Sequence, residues 1–205
     1  MYLKRSGTRL IDVHILLDDS DDFDDLLPTI ISSAYRWHSF AIKSTNGIAF
    51  KKHSVLLRNL CVPHLQSIEM RSALAIYAKE WDCPPIFSGG CPSLRSVTGD
   101  PLSIYAYCHP LASVTSLKLV RARWILELEF HQLLAASPLL EHLAVYPRAI
   151  AFPDVPAATI IPSLRSLEIV GWYATLDHLW PFFVIVSTPA VEYLILTSFN
   201  SINYA

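Results

Sequence analysis

Apolar side chains recur along this chain as short triplets, at the first, fourth and sixth slots of a segment, with polar or small residues between them. The triplets are Leu10/Val13/Ile15, Trp37/Phe40/Ile42, Leu65/Ile68/Met70, Val114/Leu117/Leu119, Leu140/Leu143/Val145, Leu164/Leu167/Ile169 and Val191/Leu194/Leu196. An eighth, Leu94/Val97, has Gly99 in its last slot. Successive first slots stand 20 to 29 residues apart. Side chains alternate along a strand, so slots four and six share one face. The spacing predicts strands near 10–16, 37–43, 65–71, 94–98, 114–120, 140–146, 164–170 and 191–197. Five units carry a proline two residues before the first slot, at Pro63, Pro92, Pro138, Pro162 and Pro189. Proline lacks an amide hydrogen and disfavours helix in its predecessor, so it ends a helix and permits a strand to start. The string Pro-Ser-Leu-Arg-Ser occurs twice, at 92–96 and 162–166.

A period of 20 to 29 residues is that of leucine-rich repeats. One such unit cannot shield both sides of its own strand, so units must stack on their neighbours. The expected fold is therefore α/β, a leucine-rich-repeat solenoid. Residues 1–205 form a single array of about eight degenerate units, with a curved parallel sheet on the concave side and helices and loops on the convex side. Helix-compatible spacing appears in Asp22–Tyr35, Trp124–Ala136 and Leu176–Val186, where Pro181 implies a kink or a late start. The other connections read as loops, notably Cys83–Cys91 with its prolines and glycines.

Composition narrows the class. Hydrophobic residues make up 52% and charged residues 17%, which excludes a disordered chain. The longest apolar stretch, Pro181 to Phe199, is interrupted by Pro189 and Glu192, so it does not read as a membrane span. Asp12 and His14 break the apolar run after Lys4, Arg5 and Arg9, which argues against a secretory signal. Sixteen basic against eighteen acidic residues leave no row of cations for phosphate backbones, so neither nucleic acid nor membrane is an expected partner. Four irregularly spaced cysteines read as reduced thiols, as in a cytoplasmic or nuclear protein.

Recognition chemistry is expected on the outward slots. Slot three reads Asp12, Ser39, Ser67, Ser96, Ser116, His142, Ser166 and Tyr193. Slot five reads His14, Ala41, Glu69, Thr98, Lys118, Ala144, Glu168 and Ile195. Slot seven adds Leu16, Lys43, Arg71, Asp100, Val120, Tyr146, Val170 and Thr197. The rows grow more apolar and aromatic toward the C-terminus, and exposed aromatics are enriched at interfaces. The expected protein-binding residues are His142, Tyr146, Glu168, Val170, Tyr193 and Ile195. The acidic run from Asp18 to Asp25 lacks the glycine and closing glutamate of a calcium loop and reads as a solvated lead into a helix. Neither Cys83/Cys91 nor His131/His142 has the pairing of a zinc site. There is no nucleophile elbow and no phosphate loop, and Ser187 or Cys108 would act only through an arrangement that spacing does not reveal. No cofactor, metal or catalytic residue is expected.

Three stretches carry a family resemblance: Asp25-Leu26-Leu27-Pro28 through Tyr35-Arg36-Trp37-His38-Ser39-Phe40, then Cys91–Ser96, and Leu133 through Leu143. In these the chain resembles the leucine-rich-repeat region of the F-box proteins of mushroom-forming fungi, from about residue 10 onward. The resemblance implies a scaffold that holds a protein target on its concave face. A helical F-box, which would dock on a cullin-type ubiquitin-ligase adaptor, does not fit in the nine residues before the first expected strand. That partner is expected only if a longer gene product carries the F-box. Ser198–Ala205 is likewise short for a polar cap on the last repeat. Two rival readings remain: a stand-alone repeat inhibitor or truncated gene product, and an α/β enzyme with a pocket at the strands' C-terminal ends.

Overall fold

In the computed structural model, the residues described are 7–17, 26–44, 47–72, 85–107, 111–120, 125–146, 150–151, 159–171, 179, 182–184 and 186–197. The acidic run at 18–25, Cys83, Cys108, Trp124 and 198–205 lie outside them.

Most units open on a hydrogen-bonded turn, and this is what their prolines serve. The first-slot N–H donates to the carbonyl three residues back in six units: Leu65 to Val62, Leu94 to Cys91, Val114 to Leu111, Leu140 to Ser137, Leu164 to Ile161 and Val191 to Thr188. In five of them the second turn residue is proline, whose fixed φ suits that place and whose missing N–H is not needed there. Adjacent turns are tied together. Each carbonyl of Gln66, Arg95, Thr115, Glu141 and Arg165 accepts two N–H groups of the following unit at 2.8 to 3.0 Å. Ser93 Oγ donates to Pro63 O at 2.7 Å and Ser163 Oγ to Pro138 O at 3.1 Å. The repeated Pro-Ser-Leu-Arg-Ser string is thus a turn proline, a serine bonded to the turn before, a core leucine, and the entry to a strand.

Because slots one and two belong to the turn, six strands begin two residues later than the apolar spacing predicts. The strands are β1 (Ile11–Leu17), β2 (Trp37–Ser44), β3 (Ser67–Ser72), β4 (Ser96–Gly99), β5 (Ser116–Leu119), β7 (His142–Val145), β10 (Ser166–Val170) and β12 (Tyr193–Thr197). They form one sheet in the order β1-β2-β3-β4-β5-β7-β10-β12. Every pairing in it is parallel. Slot three stays in register across all eight strands, from Asp12 and Ser39 through His142 and Ser166 to Tyr193. Two further two-stranded sheets pair β6 (Ile125–Leu126) with β8 (Ile150–Ala151) and β9 (Thr159–Ile160) with β11 (Val186–Ser187).

Slots one, four and six feed one buried cluster, and the helices complete it from the same side. These are α1 (Leu27–Ile31), α2 (Gly47–Leu57), α3 (Pro101–Tyr107) and α4 (Glu127–Ala135). Leu27, Leu57, Ile104, Phe130, Leu133 and Leu134 join Phe40, Ile68, Val97, Leu117, Leu143 and Leu167 in the cluster. Trp37, Phe40 and Phe87 form its aromatic part, Trp37 stacked on Phe40 and both meeting Phe87 edge-on.

Several local expectations need correction. The helix predicted over Asp22–Tyr35 stops at Ile31 and resumes as a 3-10 turn at Ala34–Arg36. Ser32 and Ser33 turn their hydroxyls back onto the carbonyls of Thr29 and Ile30, which competes with continued helix. The helix expected from Trp124 begins at Glu127, after the short strand β6, and Glu129 accepts the Leu126 N–H at 3.0 Å. Residues 182–184 are helical within the third predicted helix. Two stretches read as loops are the helices α2 and α3. For α3 the signal was present: Asp100 Oδ1 accepts the Ser103 N–H at 2.8 Å, with Pro101 in the first helical position. That capping role buries Asp100, which slot alternation places outward. Leu10, expected inward, precedes β1 and is exposed. Ala41, expected outward, is buried.

Gly99 breaks the apolar triplet for a reason of space. A Cβ there would lie 2.4 Å from Met70 O, in the neighbouring strand, and 3.2 Å from Ile104 Cγ1. That carbonyl is held in place by the Asp100 N–H at 3.2 Å. Restoring an apolar residue is therefore expected to destabilise: Gly99→Ala should cost at least about 1–3 kcal/mol, as overpacking does. A denaturant midpoint equal to or above that of the parent chain would contradict the packing of β3, β4 and α3.

Candidate protein-binding face

The side of the sheet away from the helices carries slots three and five. Its centre is a row of hydroxyls, Ser39, Ser67, Ser96 and Ser116, brought side by side by the strand register. All four serines are half-buried. Ser39 donates to Asp12 Oδ1 at 2.6 Å, across the β1–β2 pair.

Over β1 to β5 this face sinks into a shallow depression of about 300 Å³, lined by His14, Ser67, Glu69, Arg71, Thr98 and Lys118 among others. Glu69 stands between two cations, with Arg71 Nε at 2.7 Å and Lys43 Nζ at 3.2 Å from the same carboxylate oxygen. Lys118 is exposed, two strands on, and makes no ion pair among the described residues. This group lies apart from the six residues expected to bind protein. The signal lay in the slot-five row, where Glu69, Thr98 and Lys118 follow one another on adjacent strands.

The residues expected to bind protein stand at the other end. His142, Ser166 and Tyr193 are neighbours in slot three, and Ala144, Glu168 and Ile195 in slot five. His142 is exposed, Tyr146 half-buried just beyond β7, and Glu168 half-buried with Thr197 Oγ1 donating to it at 3.3 Å. Tyr193 is 62% and Ile195 46% exposed. Val170 does not belong with them. It is the last residue of β10, and Ile169, Val170 and Gly171 are buried in succession, with the Gly171 N–H still donating to Thr197 O at 2.8 Å. Slot seven stands at or beyond the strand's end, where Val170 and Asp100 are both buried, so it is not a reliable outward position. β12 is an edge strand, and its inward leucines Leu194 and Leu196 are also exposed, at 53% and 56%.

Other candidate chemistry is sparse. Ser187 is an exposed residue of β11 whose carbonyl accepts the Ile161 N–H. His131 joins α4 to β9, its Nε2 at 3.0 Å from Glu127 Oε1 and its Nδ1 against the Thr159 hydroxyl. A second, more apolar depression of about 260 Å³ lies beside it, between Leu134, Pro138 and Ile160. Among the described residues no three His, Cys, Asp or Glu side chains are grouped to hold a metal ion. No helix there is long and apolar enough to cross a membrane.

Of the described thiols, Cys61 is exposed and Cys91 buried at the start of a unit turn. Burial, and secondarily the nearby Cys61, push the Cys91 thiol above its ordinary value of 9.0. A raised folded value favours the protonated thiol. The stability it contributes is complete below the free thiol's range and is lost as pH rises through the folded value. Position-resolved mass spectrometry after brief alkylation at pH 8 is expected to find Cys61 modified and Cys91 protected until denaturant is added. Equal labelling in the native protein would contradict the buried turn.

Compared with known proteins, the chain matches no family model, no curated protein and no solved structure.

Proposed function

We propose that this chain is a leucine-rich-repeat solenoid that binds another protein on the concave, outward face of its sheet. The observation that carries the reading is the register. Slots three and five run unbroken across eight parallel strands, and so present one continuous side-chain surface. A surface of that breadth, shallow and mixed in polarity, suits a protein partner rather than an enclosed small molecule. The resemblance to F-box proteins of mushroom-forming fungi gives the role its context: the repeats hold a substrate, and an F-box in a longer product docks on a cullin-type ligase adaptor. Without that F-box the same face serves a stand-alone inhibitor.

Site-specific photo-crosslinking tests the reading. A photoreactive residue at Glu168 or Tyr193 is expected to trap a discrete protein partner, whereas one at Leu139, on the turn side, is not. Crosslinks from Leu139 alone would place binding on the wrong side and overturn the proposal. Whether the longest product of the gene co-purifies with a cullin adaptor separates the ligase reading from the inhibitor reading.

A further inference from the structure

The outward face is electrically uneven, although the chain as a whole is acidic, with a net charge of −2. Around the depression over β1–β5, Lys43, Arg71 and Lys118 face two carboxylates, that of Glu69 among them and that of Asp12 at the β1 edge, where it accepts from Ser39. Arg71 Nε and Lys43 Nζ lie 2.7 and 3.2 Å from Glu69 Oε1 without hydrogen-bond geometry, so that carboxylate offsets part of the charge and leaves Lys118 without an ion pair among the described residues. The hydroxyls of Ser67, Ser96 and Thr98 lie between these charges, half-buried and in register. Ammonium, guanidinium and hydroxyl donors converging on one hollow are a donor set for an anion. The hollow is open and only about 300 Å³, which suits side chains laid over it rather than a molecule enclosed in it. At the far end of the same face the exposed residues include His142, Tyr193 and Ile195.

We propose that the depression over β1–β5 seats an acidic peptide segment of the partner. Its carboxylates pair with Lys118 and Arg71 and accept hydrogen bonds from Ser67, Ser96 and Thr98. The inference rests on the protein-binding reading and adds two things to it. The partner's contacting segment is rich in Asp and Glu, and its acidic end lies over the N-terminal strands while its apolar end lies toward β12. Electrostatic complementarity of this kind fixes register and speeds encounter, and it weakens with salt.

The test uses the full chain and fluorescence anisotropy with a labelled Asp/Glu-rich peptide, its Asn/Gln counterpart, and inorganic phosphate as competitor. The acidic peptide is expected to bind at low salt and the amide counterpart not. Lys118→Glu should weaken binding at least about tenfold. Lys118→Arg should retain it, and Leu139→Ala, on the turn side, should leave it unchanged. Thermal melting confirms that each variant is folded, since Lys118 and Leu139 are both exposed. Equal binding by Lys118→Glu, or no binding of the acidic peptide at low salt, overturns the proposal. Full displacement by millimolar phosphate also overturns it, because the hollow would then be a free-anion site. If the peptide fails while crosslinks from Glu168 and Tyr193 persist, only this inference falls. If the peptide binds but no protein is ever trapped, the protein-binding reading falls instead.

Discussion

Replacing Trp37 with alanine is expected to cost about 3–5 kcal/mol, the range for deleting a large aromatic from a core. The indole is wholly buried and stacks on Phe40 with ring centres 5.1 Å apart and planes 8° from parallel. It meets Phe87 edge-on at 6.1 Å, and Phe40 meets Phe87 at 5.4 Å, so the three rings support one another. Its Nε1–H donates to Ser33 Oγ at 3.1 Å, and that hydroxyl in turn donates to Ile30 O at 2.6 Å. Alanine would empty the space between β2 and the Phe87 turn and leave the serine without its donor. In a chain of this length the loss corresponds to a fall in melting temperature of roughly 6–20 °C. Trp37→Phe should lose less, since an aromatic ring still stacks on Phe40 and only the N–H and part of the indole's volume are removed. A fall of under a degree or two for Trp37→Ala would mean that the aromatic cluster is not packed as described.

The second large effect lies in the sheet and reports its register. Leu167 is 4% exposed in β10 and pairs in register with Leu143 on one side and Leu194 on the other. Leu167→Ala is expected to cost about 2–5 kcal/mol. Its neighbour Ser166 faces the opposite way and is half-buried, so Ser166→Ala should change stability by no more than about 0.5 kcal/mol. A one-residue slip would exchange the two side chains between faces. Urea unfolding of both variants distinguishes the cases, and equal small losses would contradict the register.

Much of this architecture is legible in the sequence, because a parallel sheet built from repeats converts a one-dimensional period into strand position. Slots four and six predict which side chains share the core face, and the register places Val13, Phe40, Ile68, Val97, Leu117, Leu143, Leu167 and Leu194 in one row. What escapes is set by the ends of elements. Proline at 63 or 92 reads as a stop, but whether the following residue starts a strand or completes a turn depends on hydrogen bonds to the adjacent unit. At Asp100 the alternation fails because the strand has ended and the residue caps a helix, while Val170, the last residue of β10, is buried although slot alternation places it outward. Gly99 looks like a gap in the pattern, yet it is a close approach between Met70 O and its own backbone. The candidate site was half legible. The rows of outward residues are readable, and their aromatic content points to β12. The cationic hollow required knowing that Lys43 and Arg71 share Glu69.

The central claim is that the outward sheet face, and not the turn side, binds a protein. The measurement that tests it most directly is quantitative capture from cell extract by three folded forms of the full chain. One is unaltered, one carries Lys118→Glu with Tyr193→Asp on the outward face, and one carries Leu139→Asp with Ile160→Asp on the turn side. A partner retained by the unaltered and turn-side forms and lost from the outward-face form is the predicted result. A partner lost only from the turn-side form would contradict it, and would move the binding surface to the exposed apolar residues around Leu139 and Ile160.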